Sequence, residues 1–186
     1  FSDLISLAFW MRKQQVKKLL TLFETQNKGK VKIARGIVFH IAPSNVDTIF
    51  IYSLFLSMML GNRNIVRISS KDSARQTILI TILNQLFEGK YSHLKNILRI
   101  VNYPHDKNTT DYFSSHADAR IIWGGDNTIN EVSKSLSKPT CVDLKFSNKY
   151  SYALIDAASL KDLENDPNAA LFTNFVNDAY WFGQQA

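Results

Sequence analysis

Cysteine is almost absent from this chain of 186 residues: Cys141 stands alone. A disulfide framework and a multi-cysteine zinc site are therefore excluded within it, and the usage points to a reducing, cytoplasmic compartment. Proline is scarce, with four residues, which excludes a proline-rich linker chain. No apolar run approaches the roughly 20 residues of a bilayer span. The longest, residues 49–60, contains Tyr52, Ser53 and Ser57 and follows Asp47. No secretory signal is visible among the first residues. Neither G-x-G-x-x-G nor G-x-x-x-x-G-K-[ST] occurs, so the two commonest phosphate loops are missing. The four histidines (His40, His93, His105, His116) are scattered, without H-x-x-x-H or a Cys/His pair, and no metal site is expected.

Basic excess is also missing from most of the chain. The net charge is +6, yet residues 1–40 carry eight basic and two acidic side chains, and the remainder is balanced at 14 of each. A basic face running across a whole domain, as a nucleic-acid groove requires, is not supported. What is present is a globular composition, 45% hydrophobic and 20% charged, of a length for one α/β domain with a small appendage. The chain begins with Phe1 rather than Met and stops inside the pattern Trp181-Phe182-Gly183-Gln184-Gln185-Ala186. Both features are expected of a piece of a longer protein.

Apolar spacing predicts an N-terminal helix over residues 3–24, with Leu4, Leu7, Met11, Leu19 and Leu22 on helical period, followed by a polar break at residues 26–30. Short apolar runs then alternate with helical patterns. Strands are expected at 36–41, 64–68, 97–101, 119–123, 139–144 and 152–156. Helices are expected at 46–60, 72–87, 108–115, 127–136 and 159–182, the last broken near Asn165-Asp166-Pro167. This alternation predicts an α/β fold: a Rossmann-like open parallel sheet with helices on both faces, preceded by an N-terminal helix. The division is a helical segment over 1–30 and a nucleotide-binding domain over 31–186.

Ligands of such sheets bind beyond the C-terminal strand ends. After the first strand come Ala42, Pro43, Ser44 and Asn45. Asn45 falls near a helix start, where its amide can cap backbone donors or offer an N–H to a developing oxyanion. After the second come Arg67, Ser69, Ser70 and Lys71, two cations and two hydroxyls suited to a ribose or a phosphate. Ser70 or Asp72 can equally be a helix N-cap there. After the fourth come Trp123, Gly124 and Gly125. Paired glycines allow close backbone approach and positive φ, and the helix after them offers an anion site. His40, within a strand, reads as packed rather than catalytic, and Cys141 as a small buried side chain.

Taken together, residues 34–46 and 61–70 resemble the nucleotide-binding domain of the aldehyde dehydrogenase superfamily. Residues 118–125 and Lys149-Tyr150-Ser151 narrow the resemblance to its fatty acyl-CoA reductase branch, the type that supplies aldehyde for bacterial luminescence. Residues 177–186 are similar to the segment leading into that branch's catalytic cysteine. The likeness spans roughly residues 30–186. It implies a catalytic role for Asn45 as the oxyanion-stabilising amide. It implies cofactor contacts from Ala42, Pro43, Arg67, Ser69, Ser70, Lys71, Trp123, Gly124 and Gly125. Many NAD-preferring members carry Glu where Ser70 stands. Its loss, with Arg67 and Lys71 nearby, favours NADPH over NADH.

Two departures from the family pattern stand out. The general-base glutamate is missing from residues 142–148, where Asp143 is the nearest acid and is not assigned the role. The nucleophilic cysteine is expected just beyond Ala186, so this chain alone is expected to bind nucleotide without turnover. The resemblance further implies an acyl-CoA or acyl-protein thioester substrate and an acyl-transferring or synthetase partner; a homo-oligomer is one option, and the sequence leaves the oligomeric state open. Nucleic acid and a membrane span are not expected. The rival reading is a non-catalytic module whose basic N-terminal helix docks an acidic partner or acyl carrier.

Overall fold

The computed structural model describes residues 1–149, 152–156 and 170–180. Five strands form one sheet: β1 (Ile37–Ile41), β2 (Arg63–Ile68), β3 (Leu98–Asn102), β4 (Ala119–Trp123) and β5 (Val142–Phe146). All pair in parallel in the order β3-β2-β1-β4-β5. The helices are α1 (Ser2–Trp10), α2 (Lys13–Gln26), α3 (Ile49–Met59), α4 (Ala74–Glu88), α5 (Lys107–His116), α6 (Asp126–Ser133) and α7 (Ala170–Tyr180). A short 3₁₀ turn, Ser92–Asn96, leads into β3. The expected α/β Rossmann-like architecture is thus present.

Strand alternation builds two cores. Val66 and Ile68 of β2 join Leu7 of α1, Phe50, Ile51 and Leu54 of α3, and Leu79 of α4. On the other face Phe39 and Ile41 of β1 and Ile122 of β4 pack with Ile129 and Val132 of α6 and with Phe113 of α5. Parallel strands covered on both faces need apolar residues in nearly continuous runs, which is why the sequence reads so plainly there. Packing separates the chain into two compact units, Phe1–Ser147 and Asn148–Ala186. Among the described residues no helix is long and apolar enough to cross a membrane.

Several expected boundaries move. The helix over residues 3–24 is two helices, because Arg12 is extended (φ −59°, ψ 142°). α1 buries Leu7 and packs Leu4 and Met11 on the core, while α2 buries nothing. Tertiary packing of α1 has overridden a helical period that continues through the break. The fifth strand begins at Val142, not Pro139. Its span is fixed by register with β4, from Ala119↔Val142 to Trp123↔Phe146, and proline has no N–H for a ladder. Residues 152–156 belong to no strand: alternating apolar residues become a strand only where a partner edge satisfies their backbone. Expectations over residues 157–169 lie outside the described residues, while the C-terminal helix is present as α7.

Candidate functional site

The strand order reverses between β1 and β4: the chain proceeds outward through β2 and β3, then returns to β4 on the other side of β1. A crevice at the C-terminal ends of those two strands is where such sheets take ligands. A cleft of about 440 Å³ lies on the α5/α6 side of the sheet, reached by Ile41 at the end of β1 and Arg67 of β2 but by no residue of β4 or of the Gly124-Gly125 turn. Its floor is Ile41 and Arg67. One wall is the start of α5, with His105, Asp106, Lys107 and Thr110. The other is α6, with Thr128, Glu131, Val132, Lys134 and Ser135.

Arg67 is the cation at the base of this cleft. It alternates with Val66 and Ile68, which point into the α3/α4 core, so its side chain faces α5 and α6. The guanidinium lies 4.9 Å from the centre of the Tyr103 ring, and Nη2 donates to the Tyr103 carbonyl at 3.4 Å. Nε is buried, out of contact with solvent, and has no acceptor among the described residues. Burial raises the Tyr103 pKa, and its hydroxyl meets Thr110 Oγ1 at 3.2 Å. The cleft is lined by Arg67, His105, Lys107 and Lys134 against Asp106 and Glu131. Asp106 is spent on capping α5: it accepts from the Thr109 N–H at 2.8 Å and from the Thr109 hydroxyl, and these bonds hold its pKa below the usual carboxylate value. Lys107 pairs with Asp111.

The predicted residues divide between this cleft and the neighbouring turns. Ala42 begins the turn after β1, and its N–H donates to the Arg67 carbonyl at 3.0 Å. Pro43 is half-buried and Asn45 exposed in that turn. Asn45 is four residues ahead of α3, whose N-cap is Thr48. After β2, Ser69 Oγ accepts from the Lys71 N–H at 3.2 Å, and Ser70 and Lys71 are exposed. The N-cap of α4 is Ser73, accepting from the Gln76 N–H at 3.4 Å. Neither Ser70 nor Asp72 fills that role.

The β4 end differs most from expectation. Neither Gly124 nor Gly125 has positive φ. Gly125 is an extended N-cap (φ −64°, ψ 164°), and the positive-φ glycines among the described residues are Gly29, Gly36 and Gly61. Gly124 sits close to α6: a Cβ there would come within 3.1 Å of the Thr128 side chain, which would have to shift by a few tenths of an ångström. Its N–H is already given to the Phe146 carbonyl at 3.2 Å. Asp126 occupies the first turn of α6 and already supplies negative charge to the helix dipole. Trp123 alternates with Ile122 and so projects from the sheet face opposite the cleft, stacked on Phe146 at 3.9 Å and 7°.

A model of the family described as acyl-CoA reductase (LuxC) matches residues 13–186. The chain belongs to this family. It is 28% identical over 155 residues to the long-chain acyl-protein thioester reductase of Aliivibrio fischeri, covering 82% of this chain and 30% of that protein. It is 27% identical over 126 residues to the protein of that name from Vibrio harveyi, covering 66% and 25%. A third, from Photorhabdus laumondii, is 26% identical over 134 residues, covering 70% and 27%. The chain thus spans less than a third of the length of these relatives.

Many of the residues that carry the sequence resemblance lie at the opposite, N-terminal end of the sheet. Asn62 Oδ1 accepts from the N–H of Arg35 at 2.7 Å and of Gly36 at 3.2 Å. Asp118 accepts from the Ile37 N–H at 2.8 Å and pairs with Lys138 at 2.6 Å. Gly36 has φ +121°, and a Cβ there would collide with the Asp118 carboxylate. Arg120, buried beneath α6, grips Asp143 with two bonds of 2.7 Å and donates to the Val132 and Ser135 carbonyls. Asp143 is thus the counter-ion of Arg120, with Lys145 Nζ at 3.8 Å. His40 is fully buried between Ser53 and Asn64, and burial lowers its pKa to about 4. Cys141 is only part-buried, with a pKa raised by desolvation, which disfavours its thiolate.

The cleft walls contributed by α5 and α6 went unmarked in the sequence, because no phosphate-loop motif marks them. The available signal was the Asp106–Thr109 cap placing a helix start after β3. Among the described residues no three His, Cys, Asp or Glu side chains gather as metal ligands. Tyr150, Ser151 and residues 182–186 lie outside the described residues.

Proposed function

We propose that this chain is the cofactor-binding portion of an NADPH-dependent acyl-thioester reductase of the aldehyde dehydrogenase superfamily. The observation that supports the reading is Arg67, a cation lining the cleft between α5 and α6 next to the end of β1. The adenosine half of the nucleotide fits between α5 and α6. Arg67 and Lys71 draw the 2′-phosphate, and Ser70 leaves no carboxylate to repel it. Ala42, Pro43, Ser69, Gly124 and Gly125 border the path from that cleft toward Asn45. Asp126 argues that the pyrophosphate relies on these strand-end backbones more than on the α6 terminus. The bound nucleotide supplies a hydride. Asn45 donates an N–H to the acyl oxygen as charge develops there. The acyl group is held as a thioester on a cysteine that the resemblance places beyond Ala186. The nucleotide-binding part spans residues 31–186, with the first 30 as its support.

The adenosine end is tested by calorimetry with 2′,5′-ADP and 5′-AMP. The expected result is tighter binding of 2′,5′-ADP by about tenfold or more, from charge-assisted bonds to the extra phosphate. Arg67→Ala is expected to remove that difference. Equal affinities would contradict the assignment.

A second reading rests on α2. It buries none of its residues, carries Lys13, Lys17 and Lys18, and exposes Leu20 and Leu22. These exposed cations and leucines, spread around the helix, fit an acidic acyl carrier or other acidic partner, and binding that weakens with salt is its signature.

A further inference from the structure

Asn45 and the Ser69–Lys71 group stand on two neighbouring turns, residues 42–48 and 69–73. The Ala42 N–H to Arg67 carbonyl bond is the last rung joining their strands. Beyond it the turns meet through side chains. Ser73 Oγ donates to Asp47 Oδ2 at 2.6 Å while capping α4. Arg75 Nε lies 3.1 Å from Asp3 Oδ2, and Nη1 lies 3.9 Å from Asp47 Oδ2. Its guanidinium also covers the Phe1 ring at 5.0 Å.

We propose that Arg75 is a positioning residue for the cofactor site, clamping the Asn45 turn to the Ser69–Lys71 turn and holding both on α1. This rests on the nucleotide-binding reading above. The two carboxylates are largely withdrawn from water, with side-chain exposures of 11% for Asp3 and 16% for Asp47. Asp3 Oδ1 is buried without a hydrogen-bond partner among the described residues. Two such acids on neighbouring elements repel unless a cation stands between them, and Arg75 is the cation in contact with both. Its planar fork can address two carboxylates at once, which a lysine ammonium does less well. Arg75 lines no part of the cleft, so its effect reaches the site only through Asp47 and Ser73. The N-terminal helix thereby becomes part of the site's support.

The test uses the whole chain with Arg75→Ala, Arg75→Lys and Asp47→Asn. NADPH affinity and amide hydrogen exchange by mass spectrometry are measured on each. Arg75→Ala is expected to weaken NADPH about tenfold, as small misplacements of binding groups do, with Arg75→Lys recovering part of the loss. Exchange is expected to quicken in residues 42–48 and 69–73 and to stay unchanged in β1, β3 and β4. If Arg75→Ala does not fold, Asp47→Asn gives the same two readouts with a smaller change. Wild-type affinity together with wild-type exchange in both turns would overturn the proposal. So would quickened exchange spread evenly through the sheet, which marks a general structural role. Failure of the unmodified chain to bind NADPH would overturn the nucleotide reading, and the exchange pattern alone would then decide whether Arg75 holds the turns.

Discussion

His40 shows how one side chain can sit in a motif and yet serve the core. It lies in β1 one residue before the strand end, but its ring points into the α3 side, with Ser53 at 3.2 Å and Asn64 at 2.9 Å. Its folded pKa is about 4, against 6.5 for an exposed imidazole. The unfolded chain therefore takes up this proton first as pH falls. The neutral ring's contribution is complete above pH 6.5 and is lost between 6.5 and 4, at about 1.4 kcal/mol per pH unit. Urea unfolding at pH 7 and pH 5 is expected to differ by about 2 kcal/mol from this group, and His40→Gln should remove that share of the difference. At this scale the sequence identified positions well and orientations poorly. Arg67 and Trp123 were both marked as strand-end residues. Strand alternation sends Arg67 into the cleft and Trp123 to the other face, and parity relative to the core is settled only once the covering helices are known.

Among the elements, the strand cores were legible because each central strand is buried on both faces. The breaks between elements were less so. No glycine or proline marks the Met11–Arg12 bend, and the docking of Leu4 and Leu7 produces it. The start of α3 shifts to Ile49 because residues 46–48 make a tight turn first, with the Ile49 N–H bonded to the Val46 carbonyl. The edge strand β5 is held by Arg120, whose side chain is 3% exposed and is shared between Asp143, the Val132 carbonyl of α6 and the Ser135 carbonyl just beyond it. Arg120→Ala is expected to cost about 2–3 kcal/mol, because it removes a bidentate charged pair and two bonds to carbonyls at the end of α6, while Lys145, 3.8 Å from Asp143 Oδ2, still partly compensates the carboxylate. Asp143→Asn is expected to lower stability less and to leave nucleotide affinity unchanged. Chemical denaturation read beside NADPH titration checks both. A large affinity loss in Asp143→Asn with stability intact would return Asp143 to the site.

The strand order decides where a ligand can sit in the molecule as a whole. The alternation of elements specified a parallel sheet, but nothing in the spacing says that β4 returns beside β1 instead of extending beyond β3. That placement brings α5 and α6 together around Ile41 and Arg67. It also explains why the LuxC-type motif residues fall at two ends. Gly36, Asn62, Asp118 and Arg120 brace the N-terminal edge, and Asn45, Arg67 and Ser70 lie at the C-terminal end of the sheet. The most direct measurement is a titration of the chain with NADPH and, separately, NADH, followed by tryptophan fluorescence. The account predicts saturable binding of both with NADPH tighter, and loss of the preference in Arg67→Ala and Ser70→Glu. Equal affinity for the two nucleotides, or tighter binding of NADH, would contradict it.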